Sequence, residues 1–483
     1  MIFSSPIFLF LFLPIVLTVN SLLPGTKARN LWLLLMSLVF YAWGQVDFVL
    51  LLLASTVMNY GLGLWLGRSE DVGNRKFIVA LAVFINIGIL AFFKYAAFTV
   101  AMLNSLLCLG GIAVLPVPHI TLPIGISFFT FHALSYIIDV YRRKWRSATN
   151  PADLALYIFF FPQLIAGPVL RWSSIGPQLP ERVISLGGFA DGVRRFVGGL
   201  AKKVLIANIL AIPADRIFSL PAAELSTADA WLGALCYTLQ IYFDFSGYSD
   251  MAVGLGKMCG FTFMENFNFP YLSQSLRDFW RRWHISLSTW FRDYLYFPLG
   301  GNRISAVRTH VNLIVVFFLC GLWHGASWTF VVWGLYHGFF LVLERTRFEQ
   351  IQANLPQTLR HLYTLFVVMM GWVIFRADNF TTAHYYFLAL FGANNAPVPQ
   401  PYVQYATVPV LLAIGLGALF SGPTWGRINE VCGKLARITP MPYRLALQAL
   451  GRAAEFGLMI TLFIISAAWL ASGTYNPFIY FRF

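Results

Sequence analysis

Residues 309–343 read THVNLIVVFFLCGLWHGASWTFVVWGLYHGFFLVL, thirty-five positions without an Asp, Glu, Lys or Arg. A helix climbs about 1.5 Å per residue, so about 20 apolar residues cross the hydrocarbon of a bilayer. This run predicts a pair of membrane helices, with the histidine of GLWHGASW (321–328) between them. Similar uncharged runs recur at 1–26, 30–46, 48–67, 77–93, 95–138, 154–170, 379–426 and 456–481, with a shorter one at 362–375. The run 95–138 has room for two passes. Together they predict about eleven crossings. Spanning strands would be shorter and would alternate in polarity, so the fold class is an all-α polytopic membrane protein.

Composition supports this reading. Of 483 residues, 58% are hydrophobic, 17% aromatic and only 11% charged, with a mean hydropathy of +0.68. A soluble domain carries about 25% charged residues and needs them to cover its surface. Disorder, collagen, a disulfide scaffold and a soluble enzyme are excluded. Lys+Arg 34 against Asp+Glu 20 leaves +14. The cations cluster between apolar runs, which points to cytoplasmic loops and anionic lipid, with no nucleic-acid partner. The basic stretches 142–146, 345–360 and 427–452 are expected on the cytoplasmic side. No cation precedes the first run and no small-residue cleavage site follows it, so it reads as a retained helix with its N-terminus outside. The five cysteines (Cys108, Cys236, Cys259, Cys320, Cys432) are scattered without a C-x-x-C, which argues against a disulfide framework or zinc. No metal is expected. One unit covers 1–483: N-terminal helices to 170, partly interfacial segments over 171–308, the pair at 309–343 and C-terminal helices over 344–483.

The segment 273–308 interrupts the apolar pattern with six arginines (277, 281, 282, 292, 303 and 308) against Asp278 and Asp293. At 100° per residue, Leu276, Phe279, Trp280, Trp283, Leu287, Trp290, Phe291 and Tyr294 fall within an arc of about 120°. Arg277, Arg281, His284, Ser288 and Arg292 form a stripe beside it. This predicts one amphipathic helix at the membrane surface. The arginines either meet lipid phosphate or dock a phosphorylated substrate with His284 at the edge.

His324 is the other candidate. The nearest charges are Arg308 and Glu344, so it is expected deep in the membrane, where an ionisable group is costly and a functional candidate by default. An imidazole takes a proton from a hydroxyl or thiol and returns it. The alternative is a structural histidine bonded to a carbonyl, which is the reading for His337, thirteen residues on. Asp244, within QIYFDFSGYSD (240–250), either orients an imidazole or caps a helix or pairs with an arginine.

Five stretches resemble the membrane-bound O-acyltransferases: QIYFDFSGYSD (240–250), ENFNFPY (265–271), DFWRRWHISLSTW (278–290), RDYLYFPLGGNR (292–303) and LWHG (322–325). The opening MIFSSPIFLFLFLP (1–14), LPIGISFFTFHALSYIIDVY (122–141), FPQLIAGPVLR (161–171) and the ending YNPFIYFRF (475–483) resemble the branch that acetylates bacterial exopolysaccharide. The likeness implies helices around a funnel or tunnel, with amphipathic or re-entrant helices at the cytoplasmic face. It maps the family's invariant histidine onto His324 and its second polar position onto His284. It implies transfer of acetyl from acetyl-CoA or another cytoplasmic donor across the bacterial inner membrane. Periplasmic SGNH-type enzymes would then esterify an exopolysaccharide such as alginate. Cellulose, peptidoglycan or teichoic-acid alanylation, or a non-catalytic transporter, are the alternatives. His324 is then the base, and His284 polarises the carbonyl or positions the donor. Arg277, Arg281, Arg282 and Arg292 are candidates for the donor's phosphates, since guanidinium pairs well with phosphate.

Overall fold

The computed structural model describes residues 1–394, 404–438 and 441–479. Among these residues all regular structure is helical. Six helices are long and apolar enough to cross a membrane: Gly25–Arg68, Val72–Leu109, Leu186–Phe218, Ala306–His324, Gln357–Arg376 and Tyr443–Ala471. The bent pair Val408–Phe420 and Thr424–Lys434 makes a seventh if it counts as one span. Three shorter apolar helices, Phe8–Leu22, Ile126–Tyr141 and Trp328–Leu343, add to the bundle. The eleven crossings expected from hydropathy are not confirmed as a count.

Several expectations are corrected here. The run 95–138 is not two passes, because its first part extends the single helix Val72–Leu109, which stops at Gly110 and Gly111. Residues 186–218 were expected at the interface. They form a continuous helical rod whose apolar face packs on the helix Thr227–Met258. The basic stretch 427–452 is helical where described rather than a loop. Of the ending 475–483, residues 480–483 lie outside the described residues.

The helix Thr227–Met258 is the central pillar. Ser226 caps it by accepting the Asp229 N–H at 3.1 Å. From Cys236 to Gly256 it is buried on every face, with Gln240, Asp244 and Asp250 among the buried residues. It lies unusually close to the helix Leu186–Ala201. A Cβ on Gly247 would sit 2.7 Å from the Gly199 carbonyl oxygen, and one on Gly254 would sit 2.6 Å from that of Gly192. Lipid offers no hydrophobic drive between helices, so such small-residue contacts carry the packing. Farther toward the N-terminus, Asn59 and Asn86 exchange reciprocal amide hydrogen bonds of 3.1 and 2.9 Å between two spans. The outer faces of the N-terminal helices show Phe10, Leu50 and Phe84, as expected of surfaces facing lipid tails.

The predicted amphipathic helix is not one helix. Leu276–Arg282 and Ile285–Phe291 are separate, and a π-helical turn, Arg292–Tyr296, follows the second. The apolar arc found on the wheel is buried inside the protein rather than at a lipid boundary: Leu276, Phe279, Trp283, Leu287, Trp290, Phe291 and Tyr294 all belong to the core. The break falls at His284.

Candidate active site

His284 adopts a left-handed backbone, with φ at 44°, directly before the second short helix. This region costs a non-glycine residue roughly 1–2 kcal/mol and persists only where surroundings enforce it. Here the enforcing element is the loop 265–271. The Ile285 N–H donates to the Asn266 carbonyl at 2.9 Å, and the Asn268 N–H donates to the Arg282 carbonyl at 3.0 Å. The Asn266 side chain completes the clamp. Its Oδ1 accepts from the Ser286 N–H at 3.2 Å and the Ser286 hydroxyl at 2.8 Å, and lies 3.0 Å from His284 Nδ1. Its amide nitrogen donates to Ser249 Oγ on the central helix at 2.9 Å.

This arrangement sets the tautomer. The oxygen end of Asn266 is assigned by the donors around it, so His284 Nδ1 must carry hydrogen to bond it. Among the described residues no carboxylate contacts the ring, and a lone buried imidazolium is too costly, so the ring is neutral. Its lone pair is therefore on Nε2, a buried atom with no hydrogen-bond partner. A neutral Nε2 accepts a hydrogen bond and cannot donate one to a carbonyl. Of the two roles considered for His284, polarising the carbonyl is disfavoured and positioning is favoured.

His324 ends the helix Ala306–His324, and Gly325 leaves the helix in an extended conformation. Its ring is half-buried among Trp323, Trp333 and Phe375, with ring centroids 4.9, 5.0 and 5.1 Å away. The His284 ring lies 6.3 Å from the Trp323 ring, so two histidines forty residues apart in sequence share one indole. His324 lines a cavity of about 150 Å³ together with Lys94, Ile124, Ser127, Phe128 and Trp323. It also borders a gap of about 20 Å³ beside Trp283, Trp372 and Ile479. Glycines make the histidine's hairpin tight. A Cβ on Gly321 would meet the Phe330 carbonyl oxygen at 2.3 Å, and one on Gly334 the Phe317 carbonyl oxygen at 2.2 Å.

A second cavity, of about 370 Å³, approaches from the arginine-rich side. Arg277, Arg281, Arg292 and Arg345 line it, together with Trp280, Phe317 and Cys320. Cys320 is one helical turn before His324. Arg277 is tied to Glu349 at 3.2 Å and to the Glu344 carbonyl at 3.2 Å, and Arg292 to Asp293 at 2.7 Å. Arg281 is exposed at the cavity. Arg282 does not line it. Its guanidinium turns back to Asp278 at 2.9 Å and the Asn268 carbonyl.

Asp244 faces neither imidazole. It pairs with Lys203 at 2.6 Å, both side chains 2% exposed, and accepts the Ile479 N–H at 3.0 Å. Lys203 also donates to the Pro477 carbonyl. The pair therefore pins the chain end to the central helix, and the orienting role considered for Asp244 is not what this geometry provides. His337 packs against Trp280 and Trp333. Among the described residues no three His, Cys, Asp or Glu side chains converge as a metal site would need.

Three contributors escaped the sequence reading. Asn266 lies in a quoted motif, but nothing in its pattern singles it out. Glu344, noted only as the charge that bounds a run, accepts the Leu276 and Arg277 N–H groups at 2.7 and 3.1 Å, so it caps the helix carrying the arginines. Lys94 was taken as the break between two apolar runs. A lone cation inside 77–138 was the available signal, since an ionisable group at that depth marks a site.

A family model described as MBOAT, membrane-bound O-acyltransferase family, matches residues 144–387, which hold both histidines. The chain is 44% identical over 505 aligned positions, covering all of both chains, to the probable alginate O-acetylase AlgI of Azotobacter vinelandii. It is 37% identical over 429 positions to the peptidoglycan O-acetyltransferase of Helicobacter pylori, covering 82% of this chain and 80% of that one. To the teichoic acid D-alanyltransferase of Bacillus subtilis it is 29% identical over 285 positions, covering 54% and 70%.

Proposed function

Because the chain belongs to the membrane-bound O-acyltransferase family, and is thus a multi-pass membrane O-acyltransferase, we propose that it transfers acetyl groups to the O-acetylation route of an exopolysaccharide such as alginate. The donor in this reading is acetyl-CoA on the cytoplasmic side of a bacterial inner membrane. The final esterification belongs to periplasmic SGNH-type partners, and anionic lipid surrounds the basic face. The acceptor class rests on the relative at 44% identity, because those at 37% and 29% carry names for other polymers.

One observation carries the chemistry. Two imidazoles flank Trp323, and His324 itself lines a cavity, while Arg277, Arg281, Arg292 and Arg345 line another that reaches Cys320, one helical turn before His324. His324 takes the proton from the hydroxyl of an intermediate acceptor, which then hands the acetyl group on to the periplasmic partners. The hydroxyl oxygen bonds to the acetyl carbon, the carbon–sulfur bond breaks, and the proton passes to the departing thiolate. The products are an acetyl ester and free CoA thiol. His284, through its Nε2 lone pair, accepts a hydrogen bond that holds a reacting group in place. Arg281, with Arg277, Arg292 and Arg345 nearby, meets the donor's phosphates.

The test is His324→Ala in cells making the polymer, with folded protein verified in membranes. Loss of polymer acetate is expected, and full acetylation sinks the assignment. Arg281→Glu separates the two fates of the arginines. It should weaken use of acetyl-CoA far more than use of a short acetyl thioester, and equal losses would return Arg281 to lipid.

A further inference from the structure

The helix Ala306–His324 stops inside the protein, and its last carbonyls have no intrahelical N–H to meet. At a helix end in water, solvent would satisfy them. Here three consecutive carbonyls are met by two neighbouring residues of one distant helix. Tyr95 donates its hydroxyl to the Leu322 carbonyl, and the Lys94 ammonium donates to the carbonyls of Trp323 and His324, the latter at 3.0 Å. The ammonium stands at the negative end of the helix dipole, where a cation is favoured. It also lies 6.0 Å from the centre of the Trp323 indole that His284 approaches from its own side.

Lys94 is costly where it stands. The helix Val72–Leu109 carries no other charge after Lys76, and an ammonium at this depth has to be matched by strong acceptors. Leucine at this position would suit the span. The lysine instead reaches 229 and 230 residues along the chain to the carbonyls of Trp323 and His324, and lines the cavity that His324 lines. A charge-assisted bond to that carbonyl restrains the Cα from which the imidazole extends, and a displacement near 1 Å at a reacting group can cost about 100-fold in rate.

We propose that Lys94 is a positioning residue for acyl transfer, its ammonium holding the terminal turn of the helix Ala306–His324 so that the imidazole stays aimed into the cavity. This rests on His324 being the base. Tyr95 completes the cap without supplying charge.

The experiment uses the full chain, purified in detergent and in native membranes, with acetyl-CoA as donor. Parent, His324→Ala, Lys94→Met, Lys94→Arg and Tyr95→Phe are compared. Lys94→Met is expected to lower kcat on the order of 100-fold with KM for acetyl-CoA changed less than about twofold. Lys94→Arg, which restores a cation of similar reach, is expected to recover most of that loss at unchanged melting temperature. If Lys94→Met does not fold, Lys94→Gln, which keeps two N–H donors without charge, is read in its place. Turnover within about threefold of parent in the neutral variant, while His324→Ala is dead, overturns the proposal. So does a loss in Lys94→Met that lies in stability alone and is not rescued by Lys94→Arg. A fully active His324→Ala instead defeats the base assignment beneath it, which keeps the two failures apart.

Discussion

Asn266→Ala removes the one oxygen around which the His284 turn is organised. Three donors converge on it: the Ser286 N–H at 3.2 Å, the Ser286 hydroxyl at 2.8 Å and His284 Nδ1 at 3.0 Å. All belong to buried residues, and Asn266 itself is 1% exposed. Leaving a buried donor unpaired costs about 1–3 kcal/mol, so three of them set a floor near 3 kcal/mol even at the low end. In a chain of this size each kcal/mol moves the melting temperature by about 2 °C or somewhat less, giving a drop near 5 °C. Thermal unfolding followed by tryptophan fluorescence in detergent reads it directly. The same variant frees the imidazole to rotate and exchange tautomers, so acetyl transfer falls by more than the stability loss explains at a temperature where both proteins are folded. Asn266→Asp keeps an acceptor at the same place and melts above the alanine variant, but its charge draws a proton onto His284 and activity stays low. An Asn266→Ala protein that melts within about 1 °C of parent and transfers acetyl normally would refute both the clamp and the tautomer argument.

Other consequences follow from single contacts. Asp244→Ala strands the Lys203 ammonium, 2% exposed, and should cost about 3–5 kcal/mol. The double variant Lys203→Met/Asp244→Leu should recover most of it, and a melting temperature for Asp244→Ala equal to parent would mean the pair carries no stability. Gly334→Ala drives a Cβ to 2.2 Å from the Phe317 carbonyl oxygen, so it should cost about 1–3 kcal/mol and reduce turnover by spreading the hairpin that holds His324. Unchanged turnover would show that the hairpin tolerates the shift. Glu344→Ala uncaps the arginine-bearing helix, costing about 1–2 kcal/mol. Hydrogen exchange over residues 275–283 should rise, and equal protection in both proteins would contradict the cap. Burial alone would raise the Asp293 carboxyl, but its bonds to Arg292 and Arg171 outweigh that and hold it below 3.8. Its contribution to stability is therefore present above pH 3.8 and is lost as pH falls through the depressed value. The melting-temperature gap between parent and Asp293→Asn should close on that acid limb, and a gap independent of pH would count against the ion pairs.

Much of the architecture was legible because membrane insertion is decided locally. Uncharged length alone marks apolar helices, so the hairpin around residues 309–343 could be read from the spacing of Arg308 and Glu344. The boundaries of the runs went astray where that rule is blind. Cutting runs at every charge placed a boundary at Lys94, but the helix Val72–Leu109 passes through it, because carbonyls of another helix satisfy the ammonium. The same rule demoted 186–218, whose charges face partners such as Asp250 and Asp244 on the central helix: Arg195 and Lys202 bind the first, Lys203 the second.

The site divides along the same line. A helical wheel over 276–294 found the residues that face inward, since burial follows local polarity, but it assumed an unbroken helix. The break at His284 is enforced by Asn266 from a loop eighteen residues earlier and Ser249 on another helix, contacts that no periodicity encodes. Which arginines line a cavity was likewise open on the wheel, which sets Arg282 about 100° from Arg281 but shows no cavity. Asp278 and the Asn268 carbonyl turn Arg282 away. The amino-acid string by itself determined a helical membrane protein with an imidazole sunk between its charges, because transfer from water to hydrocarbon depends on each segment's own side chains. Only the folded bundle decided what that imidazole touches, which ring nitrogen of its partner bears the proton and what holds its helix end, because hydrogen bonds depend on ångström distances between groups brought together by packing.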